Sequence, residues 1–172
     1  EHFFDGWLNN PEYALSVLET AQESGADEII LCDTNGGTLP DEIAEITKKV
    51  RKIVSVPIGI HAHNDTGCAE ANCFSAVKSG VTHIQGTFIG FGERCGNTNL
   101  SSAMATLKLK LGYELSENID LSHLTKVARH IAEISNITLP DNLAYVGKNA
   151  FSHKGGMHID GVSKNTSSFE HI

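Results

Sequence analysis

Val56-Pro57-Ile58-Gly59-Ile60-His61-Ala62-His63-Asn64-Asp65 is a short β-branched run that stops abruptly in a polar cluster. A buried strand ending in a loop is the reading such a run invites. Behind it, Ala69, Cys73, Ala76 and Val77 fall at helical spacing, and Gly80 supplies the stop expected just past the last periodic residue. Strand, polar loop and amphipathic helix together make one unit of a parallel α/β protein.

The same unit recurs on either side. Upstream, Glu28–Cys32 reads as a buried strand, followed by the loop Asp33-Thr34-Asn35-Gly36-Gly37 and a helix entered through Pro40, with Ile43, Ile46, Val50 and Ile53 as its apolar stripe. Downstream, the segment His83–Ile89 reads as a strand, Gly90–Asn97 as a loop, and Leu100, Ala103, Met104, Leu107 and Leu111 as a helix closed by Gly112. Ahead of all three, Asn10-Pro11 opens a helix that stops at Gly25, and Glu1–Phe4 reads as the loop or strand end before it. Strand ends at Glu1, Asp33, His61 and Gly90 are 32, 28 and 29 residues apart, close to the roughly 31 per unit expected when about 250 residues make eight βα units. A doubly wound open sheet has the same repeat, so periodicity alone leaves both architectures open. Past Gly112 the rhythm changes to one helix over Leu121–Ser135 and then a Gly- and Asn-rich stretch. The expected division is residues 1–113 for the α/β part and 114–172 for a helical linker or subdomain.

A formal net charge of -8 argues against nucleic acid as a partner, because affinity for a phosphate backbone rests on Lys and Arg. No apolar run is long enough to cross a bilayer and no secretory leader opens the chain, so a cytoplasmic protein without a membrane partner is expected. Cys32, Cys68, Cys73 and Cys95 form no C-x-x-C pair and are expected as reduced thiols. The absence of a first methionine and the lack of a terminating turn at Ile172 suggest an excerpt of a longer protein.

Chemistry concentrates at the strand ends, where parallel barrels gather their active sites. In an extended segment residues two apart face the same way, so His61 and His63 can aim both imidazoles at one metal ion; two ordinary polar residues at a strand-to-loop junction are the bland alternative. Glu1, Thr34, His61, His63 and Asn97 occupy corresponding places in successive units, which packing alone does not explain. The loop Gly90-Phe91-Gly92-Glu93-Arg94-Cys95-Gly96-Asn97 has spacing G-x-G-x-x-x-G, one residue too long for the dinucleotide fingerprint. It is read either as an anion-binding turn or as a turn that needs glycine for its geometry. Phe151–Gly161, with His153, Lys154, His158 and Asp160 among glycines, reads as a flexible polar element.

Cys32-Asp33-Thr34, Gly59-Ile60-His61-Ala62-His63-Asn64-Asp65, Gly92-Glu93-Arg94-Cys95-Gly96-Asn97 and Ala150–His158 together resemble the metal-dependent acyl-CoA synthases of the 2-isopropylmalate, homocitrate and citramalate synthase group. These pieces cover nearly the whole chain in order, and H-A-H-N-D with G-E-R-x-G-N is specific; Glu1–Gly6 and Asp33–Pro40 look most like the citramalate branch. The resemblance implies the carboxyl-terminal half of a (β/α)8 TIM barrel with the start of a small helical subdomain. It implies condensation of acetyl-CoA with a 2-keto acid, pyruvate preferred, with release of CoA, in a full-length protein that is a homodimer. It further implies that His61 and His63 bind a divalent metal (Mg2+, Mn2+ or Zn2+) with Asn97 as a direct or nearby ligand. Thr34 would hold the keto-acid carboxylate, His158 would be the base and Glu1 the glutamate beside it. Gly92, Glu93, Arg94 and Gly96 would line the acetyl-CoA and metal side.

One departure bears on activity. The family carries an Arg-Asp pair on its first barrel strand, the Asp being a metal ligand, and no such segment occurs in this sequence; the stretch by itself is therefore expected to be inactive. Two other readings compete: a carbon–carbon lyase of the hydroxymethylglutaryl-CoA type on the same scaffold, and a non-catalytic metal-binding remnant or dimerisation module.

Overall fold

The computed structural model describes residues 2–116 and 119–168. They fall into two compact units, Glu1–Glu117 and Asn118–Ile172.

The first unit opens with α1 (Phe3–Asn9) and α2 (Pro11–Glu23). The sequence suggests a loop or strand end at the start, but Phe3, Phe4 and Trp7 lie on one face of α1 and bury there, Phe4 completely. Helical spacing of these aromatics outweighs their β preference. Asn10 then caps α2, its Oδ1 accepting from the Tyr13 amide at 3.1 Å, with Pro11 at the first helical position.

Three strands follow, β1 (Ile29–Asp33), β2 (Ile58–Ala62) and β3 (His83–Gln85), linked by α3 (Pro40–Val50) and α4 (Ala69–Lys78), with α5 (Leu100–Leu109) after β3. All pairings are parallel, in spatial order β1-β2-β3, with Leu31 opposite Ile60 and Cys32 opposite His61. Each new strand adds beside the previous one, and neighbouring helices α3 and α4, then α4 and α5, touch each other. A doubly wound sheet would reverse direction and split its helices between two faces. The sequential order is that of a (β/α) barrel, of which this unit is an arc.

Alternation divides the strands into two faces. Ile29, Leu31, Ile58, Ile60 and Ala62 are buried toward the helices, where Ile43, Ile46, Val50, Ala69, Cys73 and Ala76 complete the core. Burial of each large aliphatic side chain is worth about 1.5–3 kcal/mol. The opposite face carries Ile30, Cys32, Gly59, His61, His83 and Gln85; a Cβ on Gly59 would collide with Ile30 Cδ1 and lie 3.3 Å from His83 Cβ.

β3 is shorter than the sequence suggests. Its expected span to Ile89 breaks at Gly86, whose Cα faces the Thr98 carbonyl too closely for any side chain. Phe88–Gly90 turns as a 3-10 helix, with Ile89 at φ 57°, and the chain doubles back so that Thr87 bridges Asn99.

In the second unit, the helix expected over Leu121–Ser135 is a 3-10 turn at Leu121–His123 followed by α6 (Leu124–Ile134), with Ala128 and Ala132 buried. The segment expected as a flexible loop contains α7 (Gly156–Lys164). Gly155 and Gly156 stand at its start, where glycine costs little, while Gly161 lies in its interior and weakens it.

Candidate metal and substrate site

At the carboxyl end of the sheet three loops meet. β2 runs straight into His61, Ala62 and His63, and His63 pairs with Asn97 in an isolated antiparallel bridge. The bridge is reinforced by the Thr98 amide, which donates to the Ala62 carbonyl at 3.0 Å, and by the Asn64 amide, which donates to the Gly96 carbonyl at 2.9 Å. The folding-back of residues 86–99 thus carries Asn97 to the histidines.

The two imidazole centroids are 5.2 Å apart and the rings are inclined at 77°. Metal–nitrogen bonds of about 2.0–2.1 Å around one ion at a tetrahedral angle put two ring centroids about 5 Å apart. Asn97 donates from Nδ2 to the Phe91 carbonyl at 2.9 Å, which fixes the amide and leaves Oδ1 as the presented atom. Gly92 makes this possible, since a Cβ there would run into Asn97 Nδ2. Asn97 Oδ1 and His63 Nδ1 are both buried and have no hydrogen-bond partner in the protein. A buried lone pair without a partner is costly, and a cation satisfies both. Burial, and next to it the neighbouring His63, holds the His61 pKa below its ordinary value, which favours the neutral, ligating form of the ring. The donor set therefore fits a divalent ion. Among the described residues no three His, Cys, Asp or Glu side chains converge, so this is a partial shell.

Thr34 follows β1. Its amide donates to Asp5 Oδ2 at 3.1 Å, as the Asn35 amide does at 3.4 Å, and its carbonyl accepts from Arg94 Nη2 at 2.7 Å. Arg94, which the resemblance places along the acetyl-CoA and metal side, forks onto Asp65, Nε to Oδ1 at 2.8 Å and Nη2 to Oδ2 at 2.9 Å. That pairing holds the Asp65 carboxyl below the usual carboxylate range. Glu93 is exposed, and its carbonyl accepts from the buried Gly96 at 2.8 Å. The first unit thus brings Thr34, His61, His63, Gly92, Arg94, Gly96 and Asn97 to one end of its sheet. His158 stands in the first turn of α7 in the second unit, 6.3 Å centroid to centroid from His153. Glu1 lies outside the described residues.

Sequence reasoning missed two groups. Asp65 was visible in H-A-H-N-D, but its use as the Arg94 partner needs the two loops in space. Asp33, buried completely, accepts from Thr38 Oγ1 at 2.9 Å and faces Asn72 Nδ2 of α4 at 3.5 Å. Desolvation raises its pKa, opposed by the Thr38 hydrogen bonds. Nothing in its neighbourhood in sequence announces Asn72.

The sequence profile of the HMGL-like family matches residues 7–131. The chain belongs to the HMGL-like family. Over its whole length it is 54% identical to an (R)-citramalate synthase from Aquifex aeolicus, of which it covers 33%. It is 37% identical over 98% of its length to a homocitrate synthase from Methanopyrus kandleri, covering 42% of that protein. Among solved structures of HMGL-like architecture, an HMG-CoA lyase from Acinetobacter baumannii in complex with coenzyme A and 3-methylmalate superposes with a TM-score of 0.67 at 25% identity, over 81% of this chain and 47% of that one. The chain spans about a third of the length of the citramalate synthase it matches.

Proposed function

We propose that this chain is the metal- and substrate-binding part of an enzyme that condenses acetyl-CoA with a 2-keto acid and releases CoA, and that the keto acid is pyruvate and the product citramalate. The observation that carries the reading is the convergence of two imidazoles and the orphaned Asn97 Oδ1 at the strand ends. The preference for pyruvate rests on the higher identity to the citramalate synthase than to the homocitrate synthase.

His61, His63 and Asn97 would hold a divalent cation, which supplies Lewis-acid polarisation of the keto group. Thr34, on the neighbouring strand end, would bind the keto-acid carboxylate. His158 would accept a proton from the acetyl-CoA methyl group, assisted by Glu1, since an imidazole is matched to such a transfer near neutral pH. The resulting carbon joins the keto carbon, and water then cleaves the thioester to give the free acid and CoA thiol. The remaining carboxylate ligand and the electrophilic arginine of the family would come from sequence other than this stretch. Its natural setting would be the cytoplasm, as a homodimer.

The test is thiol release by the full-length protein with acetyl-CoA and, separately, pyruvate, 2-ketoisovalerate and 2-oxoglutarate, each with and without a chelator. Chelator-sensitive release with pyruvate alone is expected. No release with any keto acid overturns the synthase reading and favours the lyase, to be assayed by cleavage of a 3-hydroxyacyl-CoA.

A further inference from the structure

Arg94 occupies an unusual position. It is a non-glycine residue with φ 52°, a strained backbone state that persists only where surrounding contacts impose it. Its guanidinium makes those contacts by gripping the loops after β1 and β2 at once, through the Thr34 carbonyl at 2.7 Å and both Asp65 oxygens at 2.8 and 2.9 Å. Bidentate arginine–carboxylate pairing fixes direction as well as distance. Asp65 is itself held against the β1 loop. It packs on the Cα of Gly36, and the Gly36 carbonyl accepts from the Thr66 amide at 3.2 Å and the Thr66 hydroxyl at 2.9 Å. Arg94 belongs to the same loop as Asn97, three residues on.

We propose that Arg94 is a positioning residue: clasped to Asp65 and to the Thr34 carbonyl, it locks the Asn97 loop against His61 and His63 so that their donor atoms converge, and it does not itself bind the acyl-CoA. The inference rests on the reading of His61, His63 and Asn97 as metal ligands. It assigns to Asp65 and Arg94 a joint role, in which either is useless without the other. Groups that orient metal ligands change affinity about 10–100-fold when removed, and residues that act as one unit are non-additive.

The experiment titrates the full-length protein with Mn2+, followed by electron paramagnetic resonance of the free ion, for the unaltered protein, R94Q, D65N, the R94Q/D65N double variant and R94K. Each of R94Q and D65N is expected to weaken Mn2+ binding by about tenfold, with the double variant no weaker than either alone. R94K, which keeps the charge but loses the fork, is expected to fall between R94Q and the unaltered protein. In turnover, both single variants should lower kcat while leaving the KM for acetyl-CoA within about twofold. Unchanged Mn2+ affinity, multiplicative losses in the double variant, or a rise in acetyl-CoA KM confined to the Arg94 variants would each overturn the proposal, as would an unaltered protein that binds no Mn2+. The Mn2+ titration needs no turnover, so absence of thiol release with every keto acid refutes the synthase reading while the clasp is still judged by the metal.

Discussion

Gly36 offers a graded test of how the loops at the strand ends are joined. It has φ 64°, and a Cβ there would sit 2.6 Å from Asp65 Oδ2, 2.9 Å from the Asp65 amide nitrogen and 3.0 Å from the His63 carbonyl carbon. The left-handed backbone costs an L-residue roughly 1–2 kcal/mol. Two of the three contacts are backbone atoms that cannot swing aside, so the β2 loop must move, and overpacking of this kind adds about 1–3 kcal/mol. Gly36→Ala should therefore destabilise by about 2–5 kcal/mol. Gly25, at φ 94° with nothing within 4 Å, isolates the backbone part: Gly25→Ala should cost only about 1–2 kcal/mol. Gly37 lacks both features, and Gly37→Ala should be neutral or stabilising by a few tenths of a kcal/mol through the unfolded chain. Calorimetry of the full-length protein should find Tm lowered about twice as far by Gly36→Ala as by Gly25→Ala. Because the displaced atoms belong to Asp65 and His63, only Gly36→Ala should also weaken Mn2+ binding. Equal Tm losses for Gly36→Ala and Gly25→Ala, with intact Mn2+ affinity in both, would refute the claim that this close approach ties the loops together.

Two further expectations concern pH. His61 has a folded pKa below its unfolded value, so the unfolded chain binds the proton more readily and the His61 contribution to stability is complete above about pH 6.5, then lost as pH falls through the depressed native value. Protonation of His61 competes with the metal, so Mn2+ affinity of the full-length protein should fall as pH is lowered through the depressed His61 value; an affinity that rises on acidification would contradict its role as a ligand. Asp33 behaves oppositely. Its native pKa is raised, so its carboxyl contributes most below the ordinary value of about 3.9 and progressively less as pH rises through the raised native one. In urea titrations across acidic to neutral pH, the stability advantage of the unaltered protein over Asp33→Asn should shrink as pH increases; an advantage that grows with pH would show that Asp33 is ionised and favourably paired.

Most of the α/β part was legible because each βα unit is written locally. The Ile58–Ala62 strand and the Pro40 and Asn10-Pro11 helix starts each depend on side chains within one turn or one pleat. The barrel order was not legible, since winding direction depends on which strand edge each helix returns to. β3 reads longer than it is because His83–Ile89 has strand composition throughout, whereas its end is set by Thr98 crowding Gly86 from twelve residues away. α1 is hard to read from sequence because three aromatics so close together have strand composition, and only in the fold do Phe3, Phe4 and Trp7 share a buried face. At the site, H-A-H and Asn97 were picked out by motif. Asp5 beneath Thr34, Asn72 beneath Asp33 and Asp65 as the Arg94 partner are contacts made across about 30 residues or more, and no spacing rule reaches that far.

The strict alternation of β1 and β2 separates two kinds of selective pressure along a single stretch of chain. Odd-numbered β1 positions and even-numbered β2 positions answer to the helices, while Cys32 and His61, interleaved with them near the carboxyl ends, face the side where the loops meet. Mutational drift can therefore remodel what is recognised without eroding what keeps the scaffold folded. A combinatorial library aimed at altered recognition would place its diversity at Cys32, Gln85 and the Thr34 loop, and keep Leu31, Ile58 and Ile60 fixed.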